Sequence, residues 1–500
     1  MSKSKVVVVG AGPGGLTSAM ILASKGYDVQ VYEKQSSVGG RNARIQLGPY
    51  TFDTGPTFLM MLDILENAFQ LAGRQMRDYL DVRSVDPLYR LQFADGRSFS
   101  PTRDREQMRQ QIERMYPGDA DGYDAYLAYE SDKYERIASC LRVPYDSLKD
   151  YLRPRFLKAL PVLDAHQSLY RHLGRFFKHD ELKLAFTFQA KYLGMSPWNC
   201  PATFSIISFI EHSGGIHHPI GGLNRISQAM AKVVEEERGS IHLNAGVSEL
   251  IIENGRCVGV ILESGERVMA DHVVLNADFG YAMNELVQSQ HLRRWTPEKL
   301  ERKGLSCSTF MLYLGIDGRY DDVPHHSIVF SNDYRKNVQE VADTLELSED
   351  PSFYIQNASV TDPSLAPEGK STIYILVPIP NTRSSIRWNE IKQSFRDKIL
   401  ELAETRGGLT GLRERIEVEK VITPADWERK YHVYRGAVFN LAHSIDQMLY
   451  FRPHNRFEEF DQCYLTGGGT HPGSGLPTIY QSGIISAGAI LEKDAWFLER

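Results

Sequence analysis

The first forty residues alternate between apolar runs and polar breaks in a way that predicts a strand, a tight turn, a helix and a second strand. Val6 to Val9 is an unbroken β-branched run, which is typical of a parallel strand buried on both faces. Apolar residues at helical spacing from Leu16 to Lys25 predict a helix that ends before Gly26. The alternating stretch Tyr27 to Lys34 predicts the second strand.

A second patterned region begins near Ile241 and consists of short β-rich runs. These runs are separated by Asn254-Gly255 and Ser264-Gly265, which are typical hairpin turns. The last run, His272 to Asp278, predicts a return to the central sheet. A meander inserted between parallel strands suits a nucleotide domain assembled from distant segments.

The intervening stretch, residues 80–215, is rich in helix formers and aromatics. Within it, Tyr151 to Ala190 carries seven lysines or arginines against three acidic residues. A basic amphipathic stretch of this kind suits a lipid interface, although ordinary core-facing helices with a solvated basic side give the same pattern. Its large apolar residues are Phe156, Leu157, Leu160, Leu163, Leu173, Phe176 and Phe177.

Composition narrows the class of protein. The chain has 500 residues, 42% of them hydrophobic, which predicts two domains. A net charge of -6 with mixed signs argues against a nucleic-acid partner. Five scattered cysteines without paired spacing argue for a reducing compartment and against a structural metal site. The first residues leave no room for a secretory signal, and no apolar run reaches bilayer length, so we expect a cytoplasmic protein.

The glycine-rich turn after the first strand predicts a dinucleotide cofactor. Gly10 permits the tight turn, Gly12 lets the backbone approach a pyrophosphate, and Gly15 lets helix and strand pack closely. Glu33 ends the second strand, where its carboxylate can accept both adenosine ribose hydroxyls and disfavours a 2'-phosphate. FAD or NAD is therefore expected rather than NADP. The predicted contacts in this unit are Gly10, Gly12, Gly14, Gly15, Glu33 and Lys34.

The residues that follow favour FAD. "SVGGRNAR", Ser37 to Arg44, has the paired glycines and arginines found after the first unit of flavoproteins of the amine oxidase class. Gly40 and Arg41 are the predicted contacts there. The turn Gly55-Pro56 is expected to pass close to a flavin ring.

Five segments in the same order make the chain similar to the bacterial and fungal phytoene desaturase family. Besides the N-terminal motifs, they are "HHSIVF" (325–330), "VTDPSLAPEGKSTIYILVPIP" (360–380), "FRPHNR" (451–456) and "LTGGGTHPGSGLPTIYQSG" (465–483). The resemblance implies non-covalent FAD in a split domain, a substrate domain with a long apolar channel, and peripheral association with a membrane surface.

The resemblance also carries over individual cofactor contacts. The last motif would supply the diphosphate or ribityl contacts and the ring contacts, and its glycine-rich loop before a helix independently suits an anionic group. Val247 would hold the adenine through its backbone. The implied contacts are Val247, Asn276, Ala277, Asp278, Gly468, Gly469, Thr470, Pro472, Gly473, Leu476 and Pro477.

The predicted fold is α/β, a Rossmann-type FAD-binding domain built from discontinuous segments, with an α+β substrate domain and a helical membrane-associating region. The FAD-binding domain is expected at 1–75, 216–285 and 451–500. A substrate and membrane-associating region is expected at 76–215 and the substrate domain at 286–450.

The resulting hypothesis is an FAD-dependent desaturase of a linear C30 or C40 carotenoid precursor such as phytoene or diapophytoene. A carotenoid oxidase of terminal methyl groups, an FAD-dependent isomerase, an amine oxidase and a non-enzymatic prenyl-lipid carrier stand as alternatives. No second dinucleotide turn follows, so oxygen or a membrane quinone is the expected electron acceptor. His217, His218 and His471 are candidates for the proton acceptor, each with a structural role as its alternative.

Overall fold

The computed structural model describes residues 4–498, apart from the side chains of residues 191, 192 and 496–498. Its strands, in chain order, are β1 Lys5–Val9, β2 Asp28–Tyr32, β3 Arg44–Leu47, β4 Tyr50–Asp53, β5 Val82–Val85, β6 Arg90–Gln92, β7 Ser98–Phe99, β8 Ile216–Pro219, β9 Ser240–His242, β10 Val247–Glu253, β11 Arg256–Leu262, β12 Arg267–Met269, β13 His272–Leu275, β14 Ser308–Ile316, β15 His326–Val329, β16 Phe353–Gln356, β17 Ser371–Ile379, β18 Ile416–Ile422 and β19 Cys463–Leu465.

The α-helices are α1 Pro13–Ser24, α2 Leu62–Leu71, α3 Arg105–Met115, α4 Ala120–Leu141, α5 Pro154–Ala159, α6 Leu169–Leu173, α7 Asp180–Ala185, α8 Ile206–Gly214, α9 Asn224–Glu236, α10 Phe279–Tyr281, α11 Pro297–Glu301, α12 Tyr334–Gln339, α13 Trp388–Thr405, α14 Leu412–Arg415, α15 Pro424–Tyr431 and α16 Leu476–Leu498. No helix within residues 4–498 combines the length and apolarity needed to cross a bilayer.

A parallel five-stranded sheet gathers strands from both ends and the middle of the chain. Its order is β19-β13-β1-β2-β9, and every neighbouring pair runs parallel. Val8 of the central strand pairs with Val31 on one side and Val274 on the other. Since both faces are covered, the central strand is a continuous apolar run, as its sequence predicts.

Helix α1 lies against α9 and α16 on one face of this sheet. It begins at Pro13, three residues before the apolar pattern suggested, because proline at the first helical position is compatible with helix geometry. Gly14 and Gly15 therefore belong to its first turn. Their small size is what lets the neighbouring segments approach.

The meander also follows its predicted pattern. β10, β11 and β12 form an antiparallel sheet, and Asn254 and Gly255 between the first two both have positive φ, as a tight hairpin requires. The chain then returns to the parallel sheet in β13.

A second sheet of seven strands, ordered β18-β14-β17-β16-β15-β6-β7, forms the other half of the molecule. Its long strands β14 and β17 pair antiparallel over nine residues, with Met311 opposite Leu376. An apolar core that includes Phe395 of α13 covers one face. On the other face, Tyr313 and Tyr374 pack with Phe52 of β4.

The basic stretch from Tyr151 to Ala190 contains three short α-helices, α5, α6 and α7, together with 3-10 turns. Its apolar residues divide accordingly. Phe156, Leu173 and Phe177 are buried in the protein core, whereas Leu157 and Leu160 are each 48% exposed.

Candidate functional site

The turn after β1 is built around the buried carboxylate of Glu33. Its two oxygens accept hydrogen bonds from the backbone N–H of Ala11 at 2.7 Å and of Gln35 at 2.8 Å. Burial raises the pKa of Glu33, while these backbone donors act to lower it. Glu33 forms no ion pair with the described residues, and a carboxylate has about four acceptor positions. The Glu33 carboxylate can therefore accept further hydrogen bonds from hydroxyl groups.

Three strand ends close on the glycine turn. Asn276, just after β13, donates to the carbonyl oxygen of Gly10 at 3.1 Å. A Cβ added at Gly12 would lie 2.7 Å from Asn276 Nδ2, and one at Gly14 would lie 2.6 Å from Thr466 Oγ1. That buried hydroxyl has no hydrogen-bond partner in the part of the chain that the structure describes. The crevice at the carboxyl ends of β1, β13 and β19 is where parallel sheets bind dinucleotides, and its residues fit one.

A glycine-rich loop, residues 467–475, connects β19 to α16 and is held from behind by Arg452. Arg452 is fully buried and donates to the carbonyl oxygens of Gly468 at 2.8 Å and Thr470 at 3.2 Å. Ser474 adds a hydrogen bond to the Gly468 carbonyl at 3.2 Å. With its carbonyls engaged inside the protein, the loop has a fixed backbone conformation.

Arg41 joins the two halves of the site. Its Nη1 lies 3.4 Å from Asp278 Oδ2 and donates to the carbonyl oxygen of Val438 at 3.0 Å. With the Asn440 amide oriented to suit its neighbours, its nitrogen donates to Asp278 at 2.7 Å and its oxygen accepts from Arg41 at 3.2 Å. Burial raises the pKa of Asp278, and the charge of Arg41 opposes that rise.

A cavity of about 250 Å³ lies between this polar group and the seven-stranded sheet. Arg41, Asn440 and Ser474 are at one side, and apolar residues cover most of the remainder. The lining includes Gly55, Pro56, Thr57, Phe58, Met60, Phe188, Met311, Ile328, Phe353, Tyr354, Tyr374, Leu376, Trp427, Phe439, Gly475, Leu476, Pro477 and Ile479.

Many predicted cofactor residues lie around this crevice and cavity. The residues that meet at the strand ends are Gly10, Gly12, Gly14, Gly15, Asn276 and Ala277. The side of Gly40 where a Cβ would stand faces Gly12. Arg41, Gly55, Pro56, Leu476 and Pro477 line the cavity. Gly468 and Thr470 lie on the loop that Arg452 holds.

Five other predicted contacts face elsewhere or lie at the margin. Lys34 forms an ion pair of 2.8 Å with Glu263 on the surface. Val247 is buried and follows Ala245 by two residues. Because the Ala245 N–H donates to the Glu33 carbonyl, Val247 lies at the end of the crevice where Glu33 stands. A Cβ added at Gly469 would lie 2.6 Å from Phe279 Cβ, and one added at Gly473 would lie 2.9 Å from His443 Nε2. Pro472 lines a separate small pocket with Met61 and Leu141.

None of the three candidate histidines is among the described residues that line the cavity. His217 contacts the Gly214 carbonyl at 3.2 Å, and His218 Nε2 lies 3.2 Å from Asp362 Oδ2. His471 Nε2 lies 2.8 Å from the Val143 carbonyl, and burial lowers the pKa of His471 to about 4.

Several side chains of the cavity were not found by sequence reasoning. Tyr374 of β17 donates to the Gly55 carbonyl at 2.8 Å, and Tyr354 of β16 donates to Thr57 Oγ1 at 2.9 Å. Both tyrosines occur in ordinary strand patterns. Arg452 stands in the "FRPHNR" segment, which marked the resemblance but gave no sign of its role.

Comparison with known proteins agrees with this geometry. Residues 13–491 match the family model described as flavin containing amine oxidoreductase. The chain belongs to this family and, within it, to the phytoene desaturases, which confirms the resemblance noted in the sequence. Its cofactor is accordingly FAD.

Individual relatives match over nearly their whole length. The chain is 48% identical over 488 residues to the 4,4'-diapophytoene desaturase (4,4'-diapolycopene-forming) of Methylomonas sp, covering 98% of this chain and 95% of that protein. It is 37% identical over 495 residues to the zeta-carotene-forming phytoene desaturase of Myxococcus xanthus, covering 98% and 93%.

Solved structures share the fold. An oxidoreductase from Methanosarcina mazei matches with a TM-score of 0.64 at 17% identity, covering 98% of this chain and 100% of that one. Cyclohexylamine oxidase from Brevibacterium oxydans matches with a TM-score of 0.61 at 14% identity, covering 100% of both chains.

Proposed function

We propose that this chain is an FAD-dependent desaturase that introduces double bonds into a linear C30 or C40 carotenoid precursor. The observation that carries the proposal is the predominantly apolar cavity between the glycine-rich loop and the seven-stranded sheet. A hydrocarbon substrate offers no polar group to bind, so an apolar wall is what its recognition requires. The 48% identical relative from Methylomonas sp carries a desaturase name and favours the C30 precursor.

The residues that would hold FAD divide along its length. Glu33 would accept the adenosine ribose hydroxyls, with Val247 at the adenine end. The Gly10–Gly15 turn and the loop at Gly468 would hold the diphosphate through backbone N–H groups. Arg41, Gly55-Pro56 and Leu476-Pro477 would contact the ring. As part of this proposal, the FAD-binding domain consists of 1–75, 216–285 and 451–500. The five-stranded parallel sheet supports this division because all of its strands come from these three segments.

When bound, FAD supplies the oxidant that takes up a hydride from the substrate. The contribution of the chain is to orient the hydrocarbon beside that ring and to exclude water. Phe58, Met311 and Leu376 present apolar surface to the same cavity that Arg41 lines. Positioning of this kind lowers the entropic part of the barrier.

A membrane surface is the proposed source of substrate. Six large apolar side chains lie exposed on neighbouring segments, which we call the apolar patch: Leu148, Leu152, Leu157, Leu160, Ile445 and Phe451. Leu449 and Tyr450 pack on the same small core as Phe156, so the two segments adjoin. Lys149, Arg153, Arg155 and Lys158 supply positive charge on the first segment, which suits an anionic lipid surface.

The apolar patch also adjoins the cofactor loop. Val143, at the start of this region, contacts His471 through the 2.8 Å hydrogen bond, and the rings of Tyr145 and His471 are 5.3 Å apart. A lipid-soluble quinone reaching the protein from the same bilayer would meet the cofactor side, so we propose a quinone or oxygen as the electron acceptor.

The test is conversion of substrate by the purified, FAD-loaded chain in liposomes with quinone. Phytoene and diapophytoene, supplied separately, are expected to give polyene absorption that shifts to the red with each added double bond, and loss of two hydrogens per step by mass spectrometry. Oxygen gain would indicate an oxidase, and an unchanged mass with altered retention would indicate an isomerase. Colourless, unchanged substrate in both series would overturn the desaturase proposal.

A further inference from the structure

Tyr354 lines the cavity, and its hydroxyl group is in direct contact with a histidine. Its oxygen lies 2.7 Å from His326 Nδ1 and 2.9 Å from Thr57 Oγ1. The contact follows from the register of β15 and β16, where Ile328 is opposite Tyr354 and His326 is opposite Gln356. Residues two positions apart on one strand share a face, so His326 and Tyr354 are diagonal neighbours.

His326 is fully buried behind the cavity wall. Its ring stacks on Phe58, which lines the cavity, with centroids 4.3 Å apart, and its Nε2 has no hydrogen-bond partner among the described residues. The titratable groups that face the pair are His325, with its ring centroid 4.3 Å away, His218 beyond it, and the carboxyl of Asp53. Desolvation and the charge of His218 hold the pKa of His326 well below its ordinary value, so the imidazole is neutral and able to accept a proton.

The pair lies at the end of the cavity that the proposed function gives to the flavin ring. Thr57 directly follows Gly55-Pro56, and the Tyr374 hydroxyl fixes the Gly55 carbonyl at 2.8 Å. The rings of Tyr354 and Tyr374 are 5.8 Å apart. A substrate carbon lying beside the ring is therefore also near the Tyr354 hydroxyl.

Among the described cavity-lining side chains, Tyr354 has the only ring hydroxyl with a base behind it. Tyr374 donates to a backbone carbonyl, and Arg41 is a cation. The Asp278 carboxylate near Arg41 already accepts from Arg41, from Asn440 and from the N–H of Tyr434.

We propose that Tyr354 is the catalytic proton acceptor of the desaturation and that His326 is the positioning residue that receives the proton through it. The inference rests on the proposed function. One substrate C–H bond loses hydrogen as hydride to FAD. On the adjacent carbon, the C–H proton passes to the Tyr354 oxygen, the Tyr354 hydroxyl proton passes to His326 Nδ1, and the freed electron pair becomes the second bond of the alkene.

The Tyr354 hydroxyl can make this transfer because it has two possible hydrogen-bond acceptors, His326 Nδ1 and Thr57 Oγ1. When the Tyr354 hydroxyl hydrogen points toward Thr57, it makes no hydrogen bond to His326. When it points toward His326 Nδ1, the relay is formed, and the Thr57 hydroxyl donates to the Tyr354 oxygen. A base of low pKa suffices, since hydride loss leaves a cation-like carbon whose neighbouring C–H is strongly acidic. The same low pKa keeps His326 unprotonated before each turnover.

The experiment compares Tyr354→Phe, His326→Gln and the matched control His325→Gln in the FAD-loaded chain. His325 is equally buried and packs on His326, but it hydrogen bonds to Thr361 and Gln356 instead of Tyr354. Anaerobic stopped-flow flavin reduction by the substrate that the wild-type chain converts measures the step. We expect Tyr354→Phe and His326→Gln to slow reduction on the order of 100-fold, a typical general-base contribution, and His325→Gln to stay within about 3-fold of wild type.

Two measurements independent of turnover separate catalysis from structure. Substrate affinity of the FAD-loaded chain with its flavin kept reduced, from quenching of tryptophan fluorescence, is expected to stay within about 3-fold of wild type in all variants. In chains with ¹⁵N-labelled histidine, Tyr354→Phe is expected to shift the His326 Nδ1 resonance, identified by its loss in His326→Gln.

The proposal is overturned if Tyr354→Phe reduces flavin at the wild-type rate, or if the slowing is matched by an equal loss of substrate affinity. Tyr354→Phe removes only one oxygen, so it decides the matter even where His326→Gln fails to fold. A wild-type chain that converts neither substrate contradicts the proposed function, whereas an active wild type with fully active variants contradicts this inference alone.

Discussion

Arg452 Nη2 donates a 2.8 Å hydrogen bond to the carbonyl oxygen of Gly468, although the arginine is fully buried and pairs with no carboxylate of the described chain. Its other donors reach the carbonyls of Thr470, Leu441 and Gln447. The cation thus joins the cofactor loop to the segment that precedes the "FRPHNR" motif. Within the loop, the N–H groups of Thr470, His471 and Ser474 bond to Gly467, Pro453 and His443. The N–H groups of Gly468 and Gly469 have no partner among the described residues and remain available.

Arg452→Met is expected to lower thermal stability and to reduce the FAD retained after desalting. The methionine fills part of the space but leaves buried carbonyls unpaired, at a cost of about 2 to 3 kcal/mol. Thermal unfolding and flavin absorbance per chain measure the two effects. Arg456→Met, in the same motif but exposed, is the control and should change stability by less than about 0.5 kcal/mol. Equal behaviour of the two variants would contradict the role of Arg452.

Replacing each of two glycines of α16 by alanine is expected to change the stability of the chain in opposite directions. A Cβ at Gly483 would lie 2.6 Å from the Gly14 carbonyl and 2.7 Å from Thr17 Cβ, so Gly483→Ala pushes α16 away from α1 and costs about 1 to 3 kcal/mol. No atom of the described residues lies within 4 Å of a Cβ at Gly488, and Gly488→Ala should stabilise by about 0.5 to 1 kcal/mol. Melting temperatures decide the signs, and a stabilising Gly483→Ala would refute the close packing.

Glu211 should make stability depend on pH. Burial raises the pKa of Glu211 to about 8, against 4.5 for an ordinary glutamate. Between these values the folded chain holds a proton that the unfolded chain has released, so the stabilisation from that proton falls as pH rises and is lost by about pH 8. Relative to Glu211→Gln, wild type should lose about 1 kcal/mol per pH unit across this window.

Melting temperatures of wild type and Glu211→Gln at pH values across the window give the comparison. The contrast variant is Glu130→Gln, because Glu130 is also buried but accepts a 3.0 Å hydrogen bond from the Lys133 ammonium. It should destabilise the chain, because the buried Lys133 ammonium then keeps only its 3.3 Å ion pair with Asp164. A pH-independent gap between wild type and Glu211→Gln would show that Glu211 is ionised throughout.

Binding to anionic vesicles should depend on the apolar patch. Leu152 and Leu157 are 71% and 48% exposed, and the double change to serine removes two side chains that each gain about 1.5 kcal/mol on entering lipid. Affinity measured by vesicle sedimentation is expected to fall on the order of 100-fold.

Exposed apolar residues elsewhere on the surface provide the control for that measurement. Leu243 and Met269, 40% and 49% exposed, lie outside the patch, and changing both to serine should leave vesicle binding unaltered. Equal losses in the two double variants would mean that binding is not confined to the proposed face.

The sequence by itself determined the cofactor class and the N-terminal half of its crevice. The β-branched run, the glycines at fixed spacing and Glu33 act over short distances along the chain, where spacing alone decides geometry. The motif at 465–483 could be recognised for the same reason, although only the folded chain brings its loop to the other end of the crevice.

Tertiary structure alone decided which polar groups face the cavity. Sequence favoured His217, His218 and His471 because they stand in conspicuous motifs, yet these rings contact backbone or Asp362 outside the described lining. Tyr354 and His326 meet only through the pairing of two strands, and Thr57 reaches them across 297 positions of chain. Strand register depends on the whole sheet and its core, so no local pattern could reveal that contact.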